Sequence, residues 1–220
     1  MKHAHALLVT VLGLAAATIF GCPSSNGDRF VPASGGSGAI ARWATTSDGR
    51  VRVPLAAGLA WETRPSADML LQAGAPEGPT FVIVAIIPAA PSPVARGTCA
   101  EAHRKQLMIA FAQKGIAMTS PEITMEPHKG EQMPRLHYAV PLEAAADATP
   151  ASTLSSWGYL VDGERCLGIG VTTIVHAKAG TDDTPDPEDM QRLEHVFGLA
   201  IDGAELTRAV GPRHMLPMGG

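Results

Sequence analysis

Seven consecutive apolar residues, Phe81-Val82-Ile83-Val84-Ala85-Ile86-Ile87, are closed by Pro88. A β-branched run of this length predicts a strand in the middle of a sheet, covered on both faces. Upstream, Arg50-Val51-Arg52-Val53-Pro54-Leu55 alternates and predicts a strand that Pro54 places at an edge or brings to an end. Ala56-Ala57-Gly58 predicts a turn, and Leu59 to Glu62 resumes extended structure. Asp68 to Ala73 is a short apolar segment bounded by Gly74 and Pro76-Glu77-Gly78-Pro79. Downstream, Thr98 has Glu101 three residues later, the capping-box spacing. Leu107, Ala110 and Phe111 lead from there to Gly115, a helix-closing glycine. Ile123–Glu126 and Arg135–Leu142 predict strands, and Ala144–Ser152 a loop of small residues. Trp157–Val161 and Arg165–Val175 flank Asp162-Gly163-Glu164, which predicts a hairpin with a type I′ turn. In the last element Asp186 caps a helix with Pro187 at its first position and Glu188 and Asp189 in its first turn. Met190, Leu193, Phe197, Ala200 and Ile201 then recur at helical spacing up to Gly203.

Strands, one helix, four strands and a second helix, with no repeated βαβ unit, predict an α+β fold built on a mostly antiparallel sheet. The run at Phe81–Ile87 needs cover on both sides, so the two helices are expected on opposite faces. At 220 residues the chain is expected to hold a single domain, at 49–203, followed by a frayed tail at 204–220.

The N-terminus reads as an address. Lys2 precedes an apolar run from Ala6 to Phe20, too short for a comfortable span of roughly 20 residues but right for the core of a signal peptide. The run ends in Ile19-Phe20-Gly21-Cys22, which resembles the bacterial lipobox, with Phe20 where a smaller residue is usual. The resemblance implies a signal peptide at 1–21, cleavage before Cys22 and acylation of that cysteine. Residues 22–48 would form a flexible tether, since Ser24-Ser25-Asn26-Gly27 and Ser34-Gly35-Gly36-Ser37-Gly38 have coil-forming composition. The protein is then expected to be lipid-anchored to a bacterial membrane, the outer membrane on its periplasmic side.

With Cys22 carrying lipid, Cys99 and Cys166 remain. They are either a disulfide pair in an oxidising compartment or two separate thiols buried as small hydrophobes. A Cys–His nucleophile using His103 competes with both. Charge narrows the partners. Seventeen Lys and Arg stand against 21 Asp and Glu, with no basic run longer than Arg104-Lys105, so no nucleic-acid surface is expected. Aromatics at 5% argue against a stacking platform for bases or sugars.

Catalytic motifs fail one after another. Gly168-Ile169-Gly170 is followed by Val171 inside a strand, so its glycines are read as allowing a sheet bend or close helix packing. His128, His137 and His176 share no metal-ligand spacing and are read as isolated polar-face or loop histidines, the alternative being a cluster in space. Asp182, Asp183, Asp186, Glu188 and Asp189 lack the spacing of a calcium loop and are read as solvated acids at a helix start. Trp157 is the expected core anchor, and Trp43 is expected near the tether boundary. No catalytic residue, metal or cofactor is assigned.

Element order over about Val51 to Ile201, with the opening Val51-Arg52-Val53-Pro54-Leu55-Ala56-Ala57-Gly58-Leu59, resembles the PsbP-like α/β/α sandwich, which includes small bacterial lipoproteins of the DcrB type. The resemblance implies a binding or assembly role. The expected function is therefore a membrane-anchored, non-enzymatic module that engages a protein or small ligand. The alternative is a periplasmic hydrolase or other enzyme whose site comes from residues distant in sequence, with His137 or Glu164 in a deep polar pocket.

Overall fold

The computed structural model describes residues 39–75, 80–87, 94–142, 151–176 and 185–207. Cys22, the signal segment, most of the expected tether, Asp182 and Asp183, and the tail beyond 207 lie outside the described residues. The strands are β1 (Ile40–Thr45), β2 (Val51–Ala56), β3 (Glu62–Thr63), β4 (Leu71–Ala75), β5 (Thr80–Ile87), β6 (Glu122–His128), β7 (Glu131–Pro141), β8 (Ala151–Asp162), β9 (Arg165–His176) and β10 (Glu205–Leu206). The helices are α1 (Arg96–Lys114) and α2 (Pro187–Gly203). One sheet has the order β1-β2-β10 and the other β3-β4-β5-β9-β8-β7-β6, every ladder antiparallel. This is the expected α+β class with a central β5.

Alternation along β5 explains most of its apolar run. Val82 and Val84 join a buried cluster with Leu167, Ile169 and Val171 of β9 and Leu193, Phe197 and Ile201 of α2. Ile83, Ala85 and Ile87 join a second cluster with Leu136, Trp157 and Tyr159 and with Cys99, Leu107 and Phe111 of α1. From Val82 to Ala85, and again at Ile87, successive side chains enter one core or the other, whereas Ile86 is exposed.

Several expectations need correction. Residues 40–45, expected in the tether, form β1. Residues 205–206, expected in the tail, form β10 against β2. β2 is consequently central. Pro54 is tolerated there because β10 pairs only with Val51 and Arg52, leaving the edge at Pro54 open. Within Leu59–Glu62, only Glu62 belongs to a strand, and β8 starts at Ala151 inside the expected loop.

Three turn and cap devices also differ. α1 is capped at Ala95, and the Thr98 hydroxyl reaches back to accept the Ala95 N–H at 2.9 Å, while Glu101 pairs with Arg104. In the β8–β9 hairpin the two loop residues are Gly163 and Glu164, and only Gly163 has positive φ, the pattern of a type II′ turn. The type I′ pattern occurs instead at Lys129-Gly130, where φ is 47° and 83°. Gly203 ends α2 without a left-handed cap; a Cβ there would come within 2.5 Å of Pro54 Cγ, so it lets helix and strand touch.

Gly168 and Gly170 have a further purpose. A Cβ on Gly170 would meet the Trp157 indole at 2.5 Å, and one on Gly168 would meet it at 3.1 Å. Trp157, paired across the ladder with Gly170, lies over that glycine strip and meets His103 of α1 edge-on. It is buried, as expected for the core anchor.

Candidate functional site

The densest polar cluster is built on β6, β7, β8 and α2. Residues of one parity share a sheet face, so Thr124 and Glu126 stand beside Arg135 and His137, and the β7–β8 register sets His137 opposite Ser156. Arg135 is buried. Its Nη1 donates to Glu126 Oε2 at 3.0 Å and Glu194 Oε2 at 2.7 Å. Its Nη2 donates to Glu194 Oε1 at 2.5 Å and Ser156 Oγ at 3.0 Å. The guanidinium also lies 4.2 Å from the centre of the Phe197 ring. Burial works against its charge, but Glu194 and Glu126 outweigh burial and hold its pKa above the ordinary arginine value.

His137 Nδ1 lies 3.2 Å from Ser156 Oγ, and its Nε2 lies 3.1 Å from Thr124 Oγ1 and 3.5 Å from Glu126 Oε1. Burial first, and then the Arg135 charge, lower the His137 pKa. Serine, neutral histidine and carboxylate in contact have the composition of a hydrolytic triad. Ser156, however, is 0% exposed and its oxygen faces the Arg135 donor. A nucleophile must reach its substrate, and this one is sealed under an ion pair. The cluster's chemistry is attachment: it ties the outer strands to α2.

The other singled-out residues fall apart in space. His128 pairs with Asp202 at 2.8 Å, and His176 Nδ1 lies 3.2 Å from Asp189, so His128, His137 and His176 contact separate partners. Among the described residues no three or more His, Cys, Asp or Glu side chains gather to hold a metal. Asp186 caps the Glu188 N–H, and Asp189 is buried, accepting from the His176 N–H and from Arg192. Glu164 sits exposed in its turn.

Cys99 and Cys166 are joined in a disulfide with a Cα separation of 5.6 Å. That takes both Cys99 and Cys166 out of play as the thiol of a Cys–His nucleophile. His103, one turn beyond Cys99, makes a 3.0 Å contact from Nδ1 to Tyr159 OH and sets its ring edge-on to Trp157 at 4.6 Å. Burial pushes its pKa down to about 3.

The second candidate is an open groove of about 430 Å³ between β1 and the chain from Thr63 to Leu71. Trp43, Met69 and Leu71 supply apolar wall, Thr45, Ser47, Thr63 and Ser66 supply hydroxyls, and Arg42 and Arg64 supply positive charge. Arg42 is anchored by Nη2 donating to Trp61 O at 2.6 Å, and Trp43 carries the Arg52 guanidinium 4.7 Å from its ring centre. Sequence reasoning missed this groove because its walls come from two sheets. It equally missed Arg135, Ser156 and Glu194; the one available signal was the period-2 pair Arg135 and His137 on a strand otherwise rich in apolar residues.

No family model matches the chain, and no curated protein matches it by sequence. Among solved structures, the Saccharomyces cerevisiae Ran-binding protein Mog1p is similar, with a TM-score of 0.51 at 10% identity, covering 77% of this chain and 96% of that one. At that identity the likeness shows the fold alone.

Proposed function

We propose that the chain is an exported bacterial lipoprotein, held at the membrane through acylated Cys22, whose α+β body is a non-enzymatic binding module. The observation that carries this reading is the Cys99–Cys166 disulfide. A structural disulfide belongs to an oxidising compartment, and this one accounts for two of the three cysteines. The third is Cys22, placed directly after Ile19-Phe20-Gly21. Several acyl chains, at about 0.8 kcal/mol per buried methylene, make such an anchor effectively permanent. The body is read as an α/β/α sandwich of the PsbP-like type, with one helix on each face. The alternation of β5 between a cluster containing α1 and one containing α2 supports that reading.

A hydrolase would need the Ser156–His137–Glu126 contacts to open toward solvent, and the burial of Ser156 under Arg135 weighs against it. Mass spectrometry of the mature N-terminus tests the reading. An acylated Cys22 is expected; an intact Met1, or cleavage elsewhere with a free thiol, would sink it.

A further inference from the structure

The groove beside β1 has features that the binding reading leaves unassigned. β1 is an edge strand, with β2 as its hydrogen-bonded neighbour among the described residues. Thr46 N–H donates to Val51 O at 2.9 Å, and the register runs from Arg42 opposite Leu55 to Thr45 opposite Arg52. In an antiparallel ladder of this phase, the backbone groups of Arg42 and Ala44 point to β2 and those of Trp43 and Thr45 point to the free edge. At the end of that edge Ser47 N–H donates to Leu70 O at 2.7 Å, so the far wall meets the strand there and the groove opens from that point along β1. A strand edge with unpaired donors and acceptors is a template for another strand.

The charge of the walls selects what that strand carries. Arg42 and Arg64 both line the groove in a chain of formal net charge −4. Arg42 is fixed through one guanidinium nitrogen. Among the described residues Arg64 pairs with the exposed Glu62 at 3.5 Å, a surface pair weak enough for a ligand carboxylate to replace. The volume, about 430 Å³, falls in the range of roughly 300–1,000 Å³ that small ligands and short segments fill.

We propose that this groove binds an extended acidic peptide, which adds as a strand to the free edge of β1 and offers carboxylates to Arg42 and Arg64. The proposal rests on the reading of the chain as a binding module and names the chemistry of its partner. Backbone pairing supplies affinity that is tolerant of sequence, and the arginines supply the preference for acidic side chains. A free carboxylate has no backbone to satisfy the edge of β1, which is why a peptide fits better than a small anion.

The test titrates the full chain with acetyl-Thr-Glu-Val-Glu-Thr-amide, following amide shifts by NMR. Saturable shifts confined to 42–47 and 63–71 are expected. The Lys analogue should not bind, and Arg64→Glu should weaken binding at least tenfold. Arg64 is a solvent-facing side chain, so the fold survives that change, and unaltered shifts elsewhere will verify it. N-methylation of alternate peptide bonds should abolish binding in one phase and spare it in the other. Absence of binding overturns the proposal, as do shifts outside the groove, equal binding of succinate, or indifference to Arg64→Glu. Export and acylation are read separately from the mature N-terminus. A chain with acylated Cys22 that ignores the peptide therefore defeats the groove assignment alone.

Discussion

The two helices are attached to the same large sheet by different chemistry. α1 is fixed by a covalent bond, Cys99 to Cys166 on β9, and by a buried contact of His103 with Tyr159 and Trp157 on β8. α2 is fixed by polar contacts, among them the Arg135–Glu194 ion pair. Three acids on the helix, Asp189, Glu194 and Asp202, meet bases carried by β9, β7 and β6, namely His176, Arg135 and His128. Lys129 adds a hydrogen bond to the Asp202 carbonyl. The contrast teaches that one sheet supports two modes of docking with different weaknesses. The α1 side depends on redox state and on a histidine staying neutral. The α2 side depends in part on the exposed carboxylates of Glu194 and Asp202, which salt and acid can reach.

The largest expected effect tests the covalent side. Replacing both Cys99 and Cys166 by Ala should lower stability by about 4 kcal/mol, since the bond closes a long loop across 67 positions. Denaturation midpoints measure the loss. Hydrogen exchange should show α1 amides losing protection before those of α2; equal loss in both would break the comparison.

Next comes the ionic side. Arg135→Ala leaves Glu126 and Glu194 without their cation and opens space beside Phe197, at a cost of about 2–3 kcal/mol in urea unfolding. Arg135→Met keeps the volume and should recover much of it. If the two variants were equally unstable, charge rather than packing would carry the whole attachment.

At neutral pH the next effect is silent, and it emerges only on acidification. Because the folded His103 pKa is held near 3 by burial, the unfolded chain binds a proton there that the folded one refuses. Stability is therefore full above the unfolded pKa of about 6.5 and falls as pH drops toward 3, by up to about 1.4 kcal/mol per pH unit from this residue. His137, also held below the ordinary value, acts in the same direction. His103→Asn should flatten the slope, although its intercept will shift with lost packing; an unchanged slope would remove His103 from the account.

The smallest effect lies outside both helices. Asp48 binds Arg165 at 3.2 Å, and Arg50 binds Asp162 at 2.9 Å, so two ion pairs fasten the β1–β2 turn to the β8–β9 hairpin. Burial raises the Asp48 pKa, but bonds from Thr46, the Arg50 N–H and Arg165 together pull it below the ordinary aspartate value. Its contribution is present above about pH 4 and is lost as pH falls through the lowered folded value. Asp48→Asn should cost about 1 kcal/mol at neutral pH, and less as the pH falls through the lowered folded value.

Much of the fold was legible because its elements carry local signals. The apolar run of β5, the Asp186-Pro187 start of α2 and Gly115 at the end of α1 each act through neighbours in sequence. β1 and β10 were not legible. Ile40–Thr45 and Glu205–Leu206 are short and become strands only because β2 lies between them with both edges to satisfy. The polar cluster was harder still. Arg135 and Glu194 are 59 positions apart, and nothing local to either announces the other.

The amino-acid sequence by itself determined the α+β class, the place of β5, both helices and the two cysteines available for a bond, since propensity, capping and periodicity act within a few residues. Tertiary structure alone decided that Gly168 and Gly170 make room for Trp157, that Gly203 makes room for Pro54, and that Ser156 is sealed beneath Arg135. It also decided that, among the described residues, β1 keeps a free edge above a groove with two arginines. Those facts are steric and electrostatic relations between distant segments, and they acquire values only when the chain has brought the segments together.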